Sequence, residues 1–253
     1  MHSKIKSIKS PLLLNLNLKH GFFQGYGGVS SGDFESLNVK KGMGDPEANI
    51  QENLKHAAES IKLNSGKIVF IRHSFEDNIL VIDGESSGGD YDGYDAVMTN
   101  RKNTILGQGI ADCGNLIVSD KNKTFVGLVH GSWHTTKLNI VSKFVSKALS
   151  IYKVKPENIL ISFGPMLCFE CFEFGEEASD LFERRYLKSI EHGKYHFNNK
   201  QNIIDQLIKA GVDHHNIWDS NVCTLESEDY FSYRRSKKQN RVSGRFLNLV
   251  SLN

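Results

Sequence analysis

One cysteine and two histidines stand at the ends of short apolar runs in this chain of 253 residues. Cys113 precedes GNLIVSD in Ala-Asp-Cys-Gly, His130 closes TFVGLVH, and His73 closes KIVFIRH. Runs of this length and pattern read as strands, and groups at strand ends can converge on one point. Two imidazoles and a thiolate make a zinc set with its fourth position open, as in catalytic rather than structural zinc. His134 follows Trp133 where a helix begins, which makes it a candidate acid/base beside the site. The spacing is not a signature in itself, since forty positions separate His73 from Cys113 and seventeen separate Cys113 from His130. Taken singly, each residue reads more readily as a buried thiol or a satisfied histidine.

Other groups could also do chemistry. Cys168 and Cys171 are spaced Cys-x-x-Cys in CFEC, and Cys223 stands apart. A redox dithiol or a metal half-site is open to such a pair. No second Cys-x-x-Cys accompanies it, and Phe169 and Phe172 flank it as in a packed strand, so the pair reads as structural. Arg234 and Arg235 in YFSYRR, and Arg245 in SGR, are candidates to grip a phosphate through paired N–H groups. Lys237, Lys238 and Arg241 nearby read as a solvated loop. The loop GYGGVSSGDFESLN lacks the ending of a P-loop and the spacing of a dinucleotide fingerprint, so its glycines read as turn formers.

The elements that must position these groups follow from periodicity. LLLNLNLKHGFF alternates as a strand, and DPEANIQENLKHAAESI is a helix with Asp45 as cap and Pro46 in its first turn. NILVID is a strand, and GESSGGDYDGYDAVMTN reads as an acidic loop without the spacing of a calcium site. TTKLNIVSKFVSKALSIY carries the strongest helical stripe. ENILISFGP is a buried strand broken at Gly164-Pro165, GEEASDLFERRYL and KQNIIDQLIKAG read as helices, and FSYRR and RFLNLVSL as closing strands. Strands and helices interleave without a strict βαβ period. The expectation is one α/β domain with mixed rather than doubly wound sheets.

Hydrophobic content of 39% and charged content of 24% are ordinary for a soluble domain. A net charge of +2 gives no case for nucleic acid or a membrane surface as partner. No apolar run approaches the roughly 20 residues that span a bilayer. Asn15 and Asn17 interrupt the first apolar run, and no small-residue cleavage site follows it, which argues against a signal peptide. Four cysteines in a chain of this length point to a reducing compartment, so a cytoplasmic protein is expected; a monomer is expected as well.

Taken in order, HGFFQGYGGVSSGDFESLN, IRHS, YDAVMTN, ADC, HGSWH, the FGP turn with FEFGEE, and CT followed by YFSYRR and GR resemble the YfiH-like family. That family is also called the laccase-domain or multicopper polyphenol oxidase family and is now assigned to purine nucleoside phosphorylases. The resemblance implies a single domain over residues 1–253, with residues 1–19 a leading segment and mixed β-sheets sandwiched by helices in α-β-β-α layers. It implies zinc at His73, Cys113 and His130, phosphorolysis of adenosine, inosine and methylthioadenosine, and deamination of adenosine. A nucleoside and phosphate would be its small-molecule partners, with Arg72, Arg234, Arg235 and Arg245 as candidates for the phosphate. Some bacterial relatives are linked instead to correcting peptidoglycan precursors. The older label implies copper, but a multicopper oxidase needs His-x-His pairs, and none occurs among the 10 histidines here.

This sequence departs from the family's usual pattern at several positions. Gly25 stands for an arginine, His134 for an arginine or lysine, Thr135 for a glycine and Asn115 for a proline, while Ile71-Arg72 replaces Gln-Val. Two other readings of the same residues stay open. One is a metal-free hydrolase or amidase in which His130 activates Cys113. The other is a non-catalytic zinc site closed by His134.

Overall fold

Side chains on a strand alternate between two faces, and several strands here are apolar on both. Each sheet must therefore be covered twice. The structure is a computed structural model and describes residues 4–84 and 88–252. The chain enters through β1 (Ser7–Ile8), α1 (Pro11–Leu14) and β2 (Lys19–Phe23), then crosses the glycine-rich loop to α2 (Glu47–Ser60). Next come β3 (Ile68–Arg72), β4 (Ile79–Ile82), β5 (Gly89–Asp92) and β6 (Ala96–Thr99). They are followed by β7 (Ile105–Ile110), β8 (Gly114–Asp120) and β9 (Val126–Gly131). Helices α3 (Trp133–Lys137) and α4 (Ile140–Tyr152) lead to β10 (Ile159–Phe163). A smaller unit of β11 (Glu173–Phe174), α5 (Ala178–Leu181), β12 (Leu187–Ser189) and β13 (Tyr195–Phe197) precedes α6 (Asn199–Lys209) and β14 (Ile217–Asp219). Helix α7 (Tyr233–Lys238) and β15 (Phe246–Ser251) follow.

Two six-stranded sheets form, in the orders β1-β2-β15-β7-β3-β5 and β14-β10-β8-β9-β6-β4, beside a small sheet β11-β13-β12. Parallel pairs sit among antiparallel ones, so both large sheets are mixed. Val69 and Ile71 of β3, Leu106 of β7 and Val250 of β15 meet Val97, Ile117 and Leu128 of the other sheet. The alternate residues Ile68, Phe70 and Leu249 turn the other way, onto Ile50, Leu54 and Ala57 of α2. On the second sheet Met98, Leu116, Val118 and Val129 turn onto Val141, Phe144 and Val145 of α4 and onto Ile203 and Leu207 of α6. The result is the expected stack of helix, sheet, sheet and helices. Burying each large aliphatic side chain in these layers contributes roughly 1.5–3 kcal/mol.

Local structure departs from these expectations at six places. LLLNLNL opens as the turn of helix α1 because Pro11 suits a first helical position, and Asn17 leaves it with a φ of 55°. The acidic segment carries β5 and β6, whose residues Ala96–Thr99 are all buried; residues 85–87 of that segment lie outside the described residues. The long helix after His130 is two helices, split by the left-handed Asn139. GEEASDLFERRYL keeps only the short α5, since Phe182 and Tyr186 turn instead onto Phe197. FSYRR is not a strand: the Ser232 side chain accepts from the Arg235 amide and starts α7. Asp45 does not cap α2 but accepts from Ser30, Asn38 and Asn49, tying down the glycine-rich loop.

His20 of β2 is fully buried, taking a hydrogen bond on Nε2 from the Ser10 amide at 2.8 Å and giving one from Nδ1 to the Leu18 carbonyl at 2.9 Å. Burial lowers its pKa from 6.5 to about 4. The unfolded chain therefore takes up this proton first. Stability of about 3 kcal/mol, present above pH 6.5, is lost as pH falls to about 4. NMR titration of the His20 ring should give a midpoint near 4, and a midpoint near 6.5 would contradict the assignment.

Candidate metal centre and its cleft

The layer between the sheets ends in polar residues because alternation carries past the last apolar position. Counting two residues on from the inter-sheet residues Ile71, Leu106 and Leu128 reaches His73, Gln108 and His130. Counting back from Val97 reaches Asp95, and back from Ile117 through Asn115 reaches Cys113. Five polar side chains from both sheets thus share one end of one layer.

There the His73 and His130 rings stack, with centroids 3.8 Å apart and planes 18° apart. His130 donates from Nδ1 to Asp95 Oδ1 at 2.7 Å, and its amide donates to the Asp95 carbonyl at 2.8 Å. Asp95 Oδ2 accepts from the Ser74 amide and hydroxyl and from the Glu76 amide, at 3.0, 3.1 and 3.0 Å. Both carboxylate oxygens are therefore engaged. Asp95 positions His130 and the loop that follows His73. His73 Nε2 lies 3.3 Å from Oε1 of the fully buried Gln108. With one nitrogen of each ring held in this way, His130 Nε2 and His73 Nδ1 are left for a cation. The half-buried Cys113 lies beside His130, close enough to act on its charge. Donor atoms of His73, Asp95 and His130 all lie within 4.8 Å of one another. Two neutral-capable imidazoles and a carboxylate are a donor set that suits zinc; Cys113, expected as the third ligand, lies beside His130 but outside that compact set.

The charges around the rings are unequal. Burial opposes protonation of His130, but Cys113 and the Asp95 carboxylate outweigh it and raise its pKa to about 9. Burial and the neighbouring His130 push His73 well below its usual value. Burial works to raise the Asp95 pKa, yet its bond to His130 keeps it below the ordinary carboxylate value. Burial and His130 also lower His134.

A cleft of about 620 Å³ opens beside this centre, and Cys113, His134, Arg234 and Arg245 line it. Phe75, Trp133, Phe172, Phe174 and Tyr233 supply aromatic wall. Asp112 accepts from Thr224 Oγ1 at 2.6 Å and from the Arg234 amide at 2.8 Å, so the residue before Cys113 anchors α7 at the cleft. Arg234 gives one N–H to the Glu173 carbonyl, and Arg245 gives N–H bonds to the Ser243 and Gly244 carbonyls. Among the described residues neither guanidinium has a carboxylate partner. Asp112, Glu173 and Glu177 also line the cleft, so both signs of charge face it.

Not all of the sequence candidates meet. Arg72 has the opposite strand parity from His73 and pairs with Asp90 at 2.6 Å and Asp92 at 3.5 Å, away from the cleft lining. Arg235 spends its guanidinium on the carbonyls of Thr224, Leu225, Ser227 and Tyr230, and so clamps the loop before α7. His134 lies on α3, its ring stacked on Trp133 and edge-on to Phe75. Asp95 and Gln108 join the site without a motif to announce them, and the signal that marks them is their parity with Val97 and Leu106.

The family model described as "Multi-copper polyphenol oxidoreductase laccase" matches residues 19–253. A purine nucleoside phosphorylase of Streptomyces coelicolor is 27% identical over 232 residues, covering 88% of this chain and 93% of that protein. The purine nucleoside phosphorylase YfiH of Shigella flexneri is 30% identical over 223 residues, covering 86% and 88%. The crystal structure of the hypothetical protein YfiH from Bacillus licheniformis superposes with a TM-score of 0.87 at 26% identity, covering 94% of each chain.

The arrangement makes Asp95 a positioning residue for His130. Asp95→Asn should weaken zinc retention by about 10–100-fold in a chelator competition. Unchanged retention in a folded variant would remove that role.

Proposed function

Since the chain belongs to the multi-copper polyphenol oxidoreductase laccase family, the YfiH-like family, we propose that it is a zinc-dependent purine nucleoside phosphorylase. Its substrates are adenosine, inosine and methylthioadenosine, and it also deaminates adenosine. One observation carries the reading: the stacked rings of His73 and His130, with Cys113 beside His130, adjoin a cleft lined by aromatic rings, by Arg234 and Arg245, and by Asp112, Glu173 and Glu177. The names of the relatives support its phosphorylase part. A four-copper centre does not fit, because no His-x-His pair exists in the sequence.

His73, Cys113 and His130 would hold the zinc, which would supply a Lewis acid for an oxygen nucleophile near neutral pH. Gln108 and Asp95 keep the two rings turned toward it. Arg234 and Arg245 hold phosphate against the sugar, and the aromatic wall stacks the purine. A phosphate oxygen attacks the ribose C1′, and the bond from C1′ to the base nitrogen breaks. Its electron pair leaves with the base, which takes up a proton, giving ribose 1-phosphate and free purine. His134 lines the cleft and carries protons for this exchange. In deamination, water attacks C6 of adenosine and ammonia leaves, as in other zinc deaminases. The four free cysteines fit a reducing, cytoplasmic setting, and among the described residues no helix is long and apolar enough to cross a membrane. The chain acts as a monomer.

A second reading has its own observation. Cys113 lies beside His130, which is bonded to Asp95, the order of nucleophile, base and orienting carboxylate in a metal-free hydrolase. Under that reading zinc would not protect Cys113 from alkylation.

Zinc-loaded protein incubated with adenosine, with and without phosphate, should yield adenine and ribose 1-phosphate only with phosphate, read by mass spectrometry. Cys113→Ser should lose both product and metal. Product from a zinc-free protein at the full rate would overturn the zinc-dependent reading.

A further inference from the structure

A second group of metal-binding side chains lies outside this centre. Past β10 the chain turns at Gly164-Pro165, and Met166 forms a parallel bridge with Cys223. That bridge places CFEC, which the sequence presents as a pair on a packed strand, beside a third cysteine 55 residues away from Cys168. Phe169–Cys171 is a tight 3-10 turn, not a strand, and it brings both sulfurs of the pair to one side. Cys168 donates its amide to Cys223 Sγ at 3.4 Å, and Cys171 Sγ lies 3.6 Å from Glu226 Oε1. One donor atom each from Cys168, Cys171, Cys223 and Glu226 lies within 4.8 Å of all the others. None of these cysteines is in a disulfide.

We propose that Cys168, Cys171, Cys223 and Glu226 form a second, structural zinc site. Zinc bound to thiolates at about 2.3 Å in a tetrahedron sets its ligands about 3.8 Å apart. The four donors therefore need to draw in by about 1 Å at most. Three thiolates select a borderline-soft cation such as zinc over magnesium or calcium. The amide of Cys168 aimed at the Cys223 sulfur is a bond that a metal-bound thiolate strengthens. Cys223 is buried, while Glu226 is exposed and gives the ion a path in. Binding would displace the thiol protons, and no redox partner is needed.

The site would fasten two segments that build the cleft. Leu167 and Phe172, on either side of CFEC, line it. Thr224, next to Cys223, holds the Asp112 carboxylate beside Cys113. A zinc ion here would set the wall of the catalytic cleft without touching substrate.

The test uses reduced full-length protein loaded with zinc and dialysed, with metal counted by mass spectrometry. Wild type should retain about two zinc ions per chain, and Cys168→Ser/Cys171→Ser about one. Cys113→Ser should also retain about one, and in that variant zinc should protect Cys168, Cys171 and Cys223 from iodoacetamide. Glu226→Gln, a change at an exposed residue, should fold normally and release the second zinc faster. The proposal is overturned if the double variant holds as much zinc as wild type, or if alkylation of the three cysteines is the same with and without zinc. Loss of one ion in the double variant but none in Cys113→Ser would leave this site standing and remove the catalytic zinc instead.

Discussion

A single buried carboxylate decides how the two sheets end. Asp95 stands just before β6 and is fully buried, so its charge must be met by donors or removed. Four donors meet it: the His130 ring, the Ser74 amide and hydroxyl, and the Glu76 amide. Those bonds join the end of β9 to the loop that leaves β3, which belong to different sheets. The stacked rings of His73 and His130 are where they are because Asp95 grips the backbone beside one and the imidazole of the other.

The rest of the site depends on that junction. Cys113, just before β8, shares the inter-sheet parity of Asn115, which donates to the Pro165 carbonyl at 2.5 Å. Gly164 is held so close to it that a Cβ there would come 2.0 Å from Asn115 Oδ1. The FGP turn is thereby pinned to the strand that presents Cys113. Asp112 then holds Thr224 and the first turn of α7, which sets Arg234 at the cleft, while Arg235 on the same turn is spent on loop carbonyls. Adjacent arginines have different work because the helix faces them in different directions.

Much of this is legible in the residues. The strand ends at His73, Cys113 and His130, the mixed sheets, and the helix Glu47–Ser60 follow from periodicity alone. Parity along β3 also separates Arg72 from His73, and that alternation is by itself a reason to withdraw Arg72 from the phosphate candidates. What periodicity cannot reach is long-range company. Cys223 gains its meaning only from its bridge to Met166, and Asp95 only from the meeting of two sheets. The helix at Tyr233–Lys238 is hidden because YFSYRR is rich in aromatic residues, while the deciding group is the Ser232 cap. The buried strand Ala96–Thr99 is masked by the glycine- and aspartate-rich residues before it.

The central claim is that one zinc ion sits where the two sheets meet, bound by His73, Cys113 and His130. Anomalous diffraction at the zinc edge, from crystals of the zinc-loaded protein, tests it most directly. The account predicts a peak within bonding distance of the two imidazoles and the Cys113 sulfur, at about 2.0–2.3 Å, with Asp95 still on His130. No peak there in crystals that carry zinc elsewhere would contradict it.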